Sequence, residues 1–459
     1  MTRLLSLAGA CALAGLTLSA PAAAQTAAPP PSGAAERAIA DRPDAAPAAA
    51  RFAIHAQATV VVQGTPGFAS PYTGTNSLIP RQVKETADVT LYAGVRPWHG
   101  AELWVNPEID QGFGLSNTLG VAGFPSAEAY KVGRSTPYAR IQRAFFRQTI
   151  DLGGGREPVA GAANQLAGSR AVDRLVVTAG KFGVGDVFDT NSYAHDPRGD
   201  FLNWAAVDTG SFDYAADAWG YTTGVAAEAY GGAWTVRLGT FNLSRVPNGE
   251  TLETGFGQYQ LDAEVEHRHQ LAGHPGALRV TLFRNRGRFA RFDAAVALSA
   301  RTGAAADTTP LRSRRTRAGV SVNAEQAMTD DLGVFARAGI ADGQVEPYDF
   351  TDIDRTAQAG LALRGAGWRR SDDTFGAVFI VNGISRAHQR YLNAGGLGVL
   401  VGDGRLPHPG DEYIGEAYYK LVAVKGVELS LDYQFVAHPG YNRDRGPANV
   451  VGFRAHEAF

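Results

Sequence analysis

The sequence has little sulfur and, after its first residues, no long apolar run. Its single cysteine, Cys11, lies within the first 25 residues. If that segment is removed on export, the mature chain has no thiol, which excludes disulfides, thiolate catalysis and cysteine metal sites. After residue 20 no apolar run reaches the roughly 18 residues that a membrane-spanning helix requires, so a helical membrane protein is also excluded.

The chain also lacks an excess of charge of either sign. Its 459 residues include 43 Lys and Arg against 45 Asp and Glu, a net charge of −2. This balance argues against broad binding of nucleic acid, which needs a clustered basic surface. The mean hydropathy of −0.15 is typical of soluble proteins, but a membrane β-barrel has a similar average because alternate residues face a polar lumen. Two classes remain: a large secreted β protein and an outer-membrane barrel.

The N-terminal residues predict export. Arg3 is followed by an apolar stretch from Leu4 to Leu18, and three alanines precede Gln25, as a secretory cleavage site requires. We therefore expect residues 1–24 to be a signal peptide. Residues 25–50 are rich in Ala and Pro and predict a flexible N-terminal segment. Residues 51–459 are expected to form one barrel.

From residue 51 onward the hydrophobic pattern has a period of two, which indicates β-strands. In residues 259–268 and 427–435, for example, apolar and polar residues alternate. Most of the candidate strands have about ten residues, which at roughly 3.3 Å each and a tilt near 45° span about 23 Å, close to the apolar band of a barrel. About sixteen strands are predicted, at 52–63, 86–96, 101–107, 138–150, 173–182, 221–230, 233–241, 259–269, 277–285, 317–327, 332–341, 355–364, 374–383, 412–422, 427–436 and 448–459.

The connections between these strands alternate between short and long. Short periplasmic turns and long extracellular loops are typical of an all-β, antiparallel, transmembrane outer-membrane β-barrel. The link at 151–172 is the exception, and we interpret it as a Gly-, Ala- and Pro-rich insertion around a turn. Lys181 and Arg284 fall on apolar faces if the alternation is strict, so we expect β-bulges that turn them inward.

Several stretches resemble the carbohydrate-selective porin family, OprB type. They are Asn106–Gly133, Lys181–Trp204, Phe212–Gly224, Asp331–Arg355, Asn382–Gly410 and Asp432–Arg454. The resemblance extends from about residue 86 to the end of the chain. It implies a sixteen-stranded barrel in the outer membrane of a Gram-negative bacterium, through which monosaccharides and similar polyols diffuse passively.

The lumen of so large a barrel is aqueous, so selectivity depends on the groups at its narrowest point. We expect the longest loop, 183–220, to fold into the lumen as a constriction loop. Carboxylates accept hydrogen bonds from sugar hydroxyls, aromatic rings pack on sugar C–H edges, and arginine forks bind hydroxyls or carboxylates. The candidate pore-lining residues are Glu102, Trp104, Asn106, Glu108, Arg140, Asp186, Asp189, Asp200, Trp204, Arg284 and Arg337.

No catalytic residue, cofactor or metal site is predicted. His267, His269 and His274, and the acidic stretch 342–354, lack convincing metal-ligand spacing. Arg198-Gly199-Asp200 resembles an adhesion tripeptide but is too short to be informative. The expected partners are small sugars or polyols, outer-membrane lipid and lipopolysaccharide, and the barrel assembly machinery, which reads the last strand ending at Phe459.

Other functions stay open at this point. The 38 arginines among the basic residues are compatible with a general or anion-preferring porin. A barrel-embedded hydrolase of polysaccharide is a remote alternative, since no nucleophile motif supports it. A structural or adhesive barrel with a plugged lumen is a further alternative, and both a monomer and a homo-oligomer are compatible with the sequence.

Overall fold

In a computed structural model of the protein, which describes residues 49–129 and 132–459, sixteen antiparallel strands form a closed barrel. Each strand pairs with its neighbours in sequence, and the last pairs with the first. This confirms the predicted fold class. The predicted signal peptide and nearly all of the predicted flexible segment 25–50 lie outside the described residues. The strands are β1 Phe52–Thr65, β2 Gln82–Val95, β3 Ala101–Gly112, β4 Arg134–Val159, β5 Gly168–Phe182, β6 Thr222–Gly231, β7 Trp234–Asn242, β8 Tyr259–Leu271, β9 His274–Phe289, β10 Ser313–Ala327, β11 Leu332–Ala341, β12 Arg355–Gly365, β13 Arg370–Gly383, β14 Glu412–Val424, β15 Val427–Ala437 and β16 Ala448–Ala458.

The barrel has an apolar exterior and a polar interior, as the period-two pattern predicts. On β9, Leu278, Val280 and Leu282 face outward and are exposed, whereas Arg279 and Thr281 between them face inward and are buried. Because a hydrocarbon environment favours the first set and excludes the second, this arrangement is suited to a bilayer. No helix in the described ranges is long and apolar enough to cross a membrane.

Long connections lie at one end of the barrel and short ones at the other. The long loops contain three short helices in the described part of the chain: α1 Trp204–Val207, α2 Phe292–Thr302 and α3 Arg386–Asn393. At the opposite end, the β8–β9 hairpin turns on two residues, Ala272 and Gly273, whose φ angles are 51° and 84°. Positive φ at both positions is what a tight turn matched to the strand twist requires.

The link at 151–172 differs from the prediction. Most of it is strand: β4 and β5 extend beyond the neighbouring strands, and only residues 160–167 form the connection. The extension bends at Gly153, Gly154 and Gly155, all with positive φ, where the pairing register shifts twice. We call residues 151–173 the periplasmic flap. Three consecutive positive φ angles are accessible to glycine at little cost, which explains this composition.

The tip of the periplasmic flap packs against the lumen face of the barrel. Asn164 Oδ1 accepts a hydrogen bond from Asn106 Nδ2 at 2.9 Å, and its carbonyl oxygen accepts one from Arg147 Nη1 at 2.8 Å. Leu166 beside it is buried. The flap therefore folds over the short-turn end of the barrel and does not project away from it.

The predicted bulges at Lys181 and Arg284 are wrong. The register of β9 with β8 and with β10 is continuous through Arg284, so this side chain keeps its place in the outward row and is exposed. The pairing of β5 is likewise continuous around Lys181. Its amino group lies 3.3 Å from the carboxylate of Asp217, which compensates the charge without any bulge.

The packed core lies inside the lumen towards the end with long loops. Its buried apolar side chains come mainly from segments 113–129, 183–221, 342–354 and 384–411, and they pack against inward-facing aromatic residues of the strands such as Phe335 and Tyr418. The long loops are thus part of the interior of the barrel. Their polar groups must be satisfied there, and this requirement shapes the candidate site.

Candidate functional site

The segment 183–221, which we call the lumen loop, crosses the interior of the barrel. Arg337 on β11 donates from Nη1 to the carbonyl of Ala206 and from Nη2 to that of Ala194, both at 2.6 Å. Five strands further around the barrel, Arg454 on β16 donates to the carbonyl of Asp200 at 2.7 Å. Charge-assisted bonds of this kind contribute roughly 1.5–3 kcal/mol each. The loop is therefore held at two separate positions of the barrel wall.

Buried carboxylates on the strands bind the backbone N–H groups of the same loop. Because a buried carboxylate is costly unless it accepts hydrogen bonds, each of these contacts also stabilises the strand residue. The acceptors and donors are Glu264 with Asp189 N at 2.8 Å, Glu325 with Ser192 N at 2.6 Å, and Glu416 with Leu202 N at 2.6 Å. Strands β8, β10 and β14 thus add to the anchoring by β11 and β16.

The β3–β4 loop supports the lumen loop from the side. Glu412 at the start of β14 accepts from Ala122 N at 3.0 Å and from Gly123 N at 2.9 Å. The next residue, Phe124, stacks on Trp204 with ring centroids 5.3 Å apart and planes 7° apart. The two loops consequently present one continuous aromatic surface.

Between these loops and the barrel wall lies a cavity of about 160 Å³, which opens to solvent. Aromatic faces and charged groups share its wall. The aromatic lining residues are Phe124, Trp204, Tyr214, Trp219, Tyr221 and Phe350, and the charged or titratable ones are Glu128, Arg143, Asp186, His195, Arg198 and Asp208. This mixture offers both apolar contact and hydrogen bonding to a small polar solute.

Arg143 and Asp186 form a two-bond ion pair in this wall. Nε and Nη2 of Arg143 lie 2.7 and 2.6 Å from the two oxygens of Asp186. The guanidinium also lies over the ring of Tyr221, 4.9 Å from its centroid. Although burial would raise the pKa of Asp186, the Arg143 guanidinium outweighs that effect and lowers it.

Arg198 is the centre of an acidic cluster. Its Nη2 lies 2.8 Å from Glu128, 3.3 Å from Asp88 and 3.4 Å from Glu108. Burial raises the pKa of Glu128 well above its usual range; Arg198 opposes this shift, and Asp88 and Glu108 add to it. Arg198 of the tripeptide Arg198-Gly199-Asp200 therefore binds carboxylates inside the lumen.

Two further cations of the lumen have carboxylate partners. The Arg140 guanidinium lies 3.4 Å from the ring centroid of Trp219, and its Nη2 is 3.5 Å from Asp217. His195 Nδ1 lies 3.4 Å from Asp208. Burial lowers the pKa of His195, but the hydrogen bond and charge of Asp208 outweigh burial and raise it to about 9. His195 is thus an imidazolium at neutral pH.

The structure brings four of the predicted site residues together at the cavity. Asp186 and Trp204 line it directly. Arg140 and Glu108 stand behind the lining, in contact with Trp219 and Arg198 respectively. Asp186 and Trp204 belong to the lumen loop, whereas Glu108 and Arg140 belong to the neighbouring strands β3 and β4.

Three predicted residues of β3 face the lumen nearer the short-turn end. Trp104 Nε1 donates to Glu102 at 2.9 Å. Glu102 also pairs with Arg96 at 3.3 Å, and Asn106 bonds to the periplasmic flap. They form a second polar group that does not line the cavity.

Asp189, Asp200 and Arg337 belong to the anchoring of the lumen loop. Asp189 is fully buried and accepts from the N–H of Thr209 at 2.6 Å, and Arg337 is buried beneath the loop that it binds. Neither of these two residues lines the cavity described above. Asp200 accepts weak hydrogen bonds from the backbone of its own turn.

Arg284 does not line the pore. The strict alternation of β9 places it on the outer surface with Leu282, at the end of the strand that adjoins the long loops. The prediction assumed that a charge within an apolar row must be turned inward. Near a membrane interface an outward arginine costs only about 0–1 kcal/mol, so no bulge is needed to accommodate it.

Several lining residues are not predicted from the sequence, among them Phe124, Arg143, His195 and Tyr221. Arg143 was hidden by a bulge: the pairing of β3 with β4 shifts between Asn106 and Pro107, so alternation counted from Arg140 assigns Arg143 to the wrong face. His195 and Tyr221 lie in the loop that was identified, but loops have no periodicity from which an inward direction can be read.

The described part of the chain holds no group of three or more His, Cys, Asp or Glu side chains arranged to bind a metal ion. The ring of His267 packs at a tilt against Trp234, with centroids 4.4 Å apart, and lies parallel to the ring of His269 at 6.0 Å. These contacts explain the histidines as part of the packing at the short-turn end.

A closed barrel with an apolar exterior and a solvent-open cavity inside its lumen defines a diffusion porin of the outer membrane. The family model for the carbohydrate-selective porin, OprB family, matches residues 75–459. The chain therefore belongs to the OprB family of carbohydrate porins and is a protein of the Gram-negative outer membrane.

Solved structures have the same fold. The high-pH structure of OprB from Pseudomonas putida is 18% identical, with a TM-score of 0.68 over 89% of this chain and 94% of that one. The outer-membrane channel DcaP of Acinetobacter baumannii is 10% identical, with a TM-score of 0.50 over 90% of this chain and 100% of that one. No curated protein gives a significant match to the sequence. Family and fold indicate a channel and sugars as its solutes.

Proposed function

We propose that the cavity beside the lumen loop is the selective constriction of the channel, and that it favours neutral monosaccharides and similar polyols. One observation carries this proposal: each cation in the cavity wall faces a carboxylate. Arg143 faces Asp186, His195 faces Asp208, and Arg198 faces Asp88 and Glu108. A wall of paired charges offers many donors and acceptors but little net charge to attract an ion.

A sugar has the complementary chemistry. Its hydroxyls both donate and accept, so they can bond to a carboxylate and to a guanidinium at the same time. Its C–H edges can pack on Trp204 and Tyr221 while the polar groups are engaged. Because each contact replaces one with water, the net gain is small and release stays fast, as conduction requires.

The anion-preferring alternative loses its support. Among the 38 arginines that favoured it, a group enters the long loop after β9 at 284–291 and leaves it at 312–317. Arg284, Arg286 and Arg288 face outward, and Arg312 is paired with Glu346 at 2.9 Å. Since these guanidinium groups do not line the cavity, they do not attract anions into it.

We also propose that the protein is a channel without catalytic activity. A glycoside hydrolase requires one carboxyl group as an acid and another as a nucleophile or base. In the cavity, Asp186 is held by both of its oxygens to Arg143, and Asp208 pairs with His195. Carboxyl groups engaged in this way are poorly placed for that chemistry.

Two further interactions follow from the outer-membrane location of the chain. We propose that the last strand, which ends at Phe459, is the part read by the barrel assembly machinery. The main chain of Phe459 bonds to Ala56 of β1 at 2.9 and 3.1 Å, so this end lies at the seam that closes the barrel. The outward face is expected to contact outer-membrane lipid and lipopolysaccharide.

Liposome swelling tests the proposed selectivity. Proteoliposomes should swell fastest with pentoses and hexoses, and more slowly with disaccharides and with amino acids of similar mass. Planar bilayers should give a reversal potential near zero in a salt gradient. Strong anion selectivity that added glucose does not reduce would contradict the proposal, as would equal swelling rates for all solutes.

A further inference from the structure

The outer surface of β9 and β10 has a group of arginines at the end that adjoins the long loops. Arg284, Arg286 and Arg288 occupy successive outward positions of β9, and Arg314 on β10 pairs directly with Arg288. All four side chains are exposed. We call these four residues the arginine cluster. None of them contributes to the cavity or to the anchoring of the lumen loop.

The arginine cluster continues an apolar row. Leu278, Val280 and Leu282 precede Arg284 on the same face of β9 and are 42%, 40% and 54% exposed. At a rise of roughly 3.3 Å per residue, Arg284 lies about 7 Å beyond Leu282 along the strand. With the long loops on the extracellular side, this is where the hydrocarbon region ends and the head groups of the outer leaflet begin.

The charge of the cluster is not compensated within the protein. In the described part of the chain, no carboxylate forms an ion pair with any of its four arginines. Arg314 donates only to a backbone carbonyl, that of Gly257 at 3.2 Å. Like charges directly opposite each other on paired strands destabilise a sheet, so Arg288 and Arg314 need an external anion. Arg312 and Arg317, which lie near the same loop end, do have carboxylate partners.

We propose that the arginine cluster binds the phosphate groups of lipid A in the outer leaflet. Guanidinium forks bind phosphate oxygens through two hydrogen bonds at once. Basic groups at the boundary between hydrocarbon and head groups are suited to anionic lipid. Long arginine side chains can also extend from Arg284 towards the head groups while their stems stay on the apolar surface. The row of leucine and valine below would contact the acyl chains of the same lipid.

The test compares the full-length protein with the triple variant Arg286→Gln, Arg288→Gln and Arg314→Gln. Each purified protein is titrated in detergent with bisphosphorylated lipid A, with lipid A lacking both phosphates and with inorganic phosphate. Bound lipid is counted by native mass spectrometry. We expect the unaltered protein to bind the bisphosphorylated lipid about tenfold more tightly than the dephosphorylated one, and the triple variant to lose this difference.

A second triple variant controls for net charge. Arg51→Gln, Arg301→Gln and Arg369→Gln remove the same charge from exposed arginines elsewhere, which form no ion pair in the described structure. This variant should keep the preference for the phosphorylated lipid. An equal loss in both triple variants would overturn the proposal, and so would retention of the preference when the cluster is removed.

Two more outcomes would also overturn it. Inorganic phosphate binding as tightly as lipid A would indicate a general anion site, and a change of oligomeric size in the cluster variant would indicate an interface between copies of the chain. The proposal rests on the outer-membrane location and not on the proposed selectivity. Glucose flux should be unchanged in both triple variants, so failure of one proposal can be distinguished from failure of the other.

Discussion

Arg143 of β4 binds both carboxylate oxygens of Asp186 in the lumen loop, at 2.7 and 2.6 Å. The pair joins the barrel wall to the loop and at the same time forms part of the cavity wall. Each partner neutralises the other, so removing one leaves a charge beside the path of the solute. Variants of either partner therefore report on the ion selectivity of the channel.

Asp186→Asn should shift the channel towards anions. The substitution keeps the size of the side chain but leaves the Arg143 guanidinium unpaired, and we expect the permeability ratio of chloride to potassium to rise about two- to tenfold. Arg143→Gln should shift the ratio in the opposite direction. Reversal potentials in planar bilayers measure both. Shifts of the same sign in the two variants would show that the pair does not face the solute path.

Trp204→Ala should change sugar flux without changing barrel assembly. Trp204 lines the cavity and stacks on Phe124, so its removal widens the space and weakens apolar contact with a sugar ring. We expect disaccharide swelling to increase by about two- to tenfold relative to glucose swelling. The matched control is Trp234→Ala, which removes an outward tryptophan. If Trp204→Ala gives the same swelling rates for all sugars as the unaltered protein, the cavity is not the selective constriction.

Arg337→Ala should release the lumen loop. The side chain is buried and bonds two loop carbonyls, and losing such a buried charged group typically costs about 3–5 kcal/mol. We expect higher single-channel conductance and more current noise, because the loop leaves its path across the lumen. Arg284→Ala removes the same side chain from the outer face and should leave the conductance unchanged. A conductance change in Arg284→Ala alone would contradict the assignment of the two faces.

His195 should make the channel sensitive to alkaline pH. Its pKa is raised from 6.5 to about 9 by Asp208, against the effect of burial. A raised pKa in the folded state means that the stabilisation is fully present below pH 6.5 and is lost as the pH rises through about 9. Above that pH, Asp208 lacks its cation, so cation selectivity should increase. Reversal potentials from pH 7 to 10 test this, and His195→Gln should abolish the transition.

The exterior of the barrel was predictable and most of the cavity was not. Every predicted strand overlaps an observed one, because a face that contacts lipid and a face that contacts water leave a period-two signal in each strand. The contacts that shape the cavity are distant in sequence: Arg337 and Ala206 are 131 residues apart. Nothing in either segment marks the other as its partner.

Two errors show where local pattern misleads. Arg284 was assigned to the lumen because a charge in an apolar row suggested a bulge, whereas the alternation of β9 continues unbroken and leaves the side chain outward. Arg143 was overlooked because a real bulge, opposite Asn106 and Pro107, changes which residues of β4 face inward. A bulge shifts only one residue, and the sequence alone gives it no mark.

The inward side chains that anchor the lumen loop differ from those that line the cavity. Arg337, Arg454 and Glu416 hold the backbone of the loop and do not line the cavity, whereas Trp204 lines the cavity and bonds to none of these anchors. A substitution of such a lining residue changes the groups that contact a solute while the anchors of the loop stay in place. A few replacements among the lining residues can therefore change the solute selectivity of such a channel, while the barrel and its assembly into the membrane stay the same.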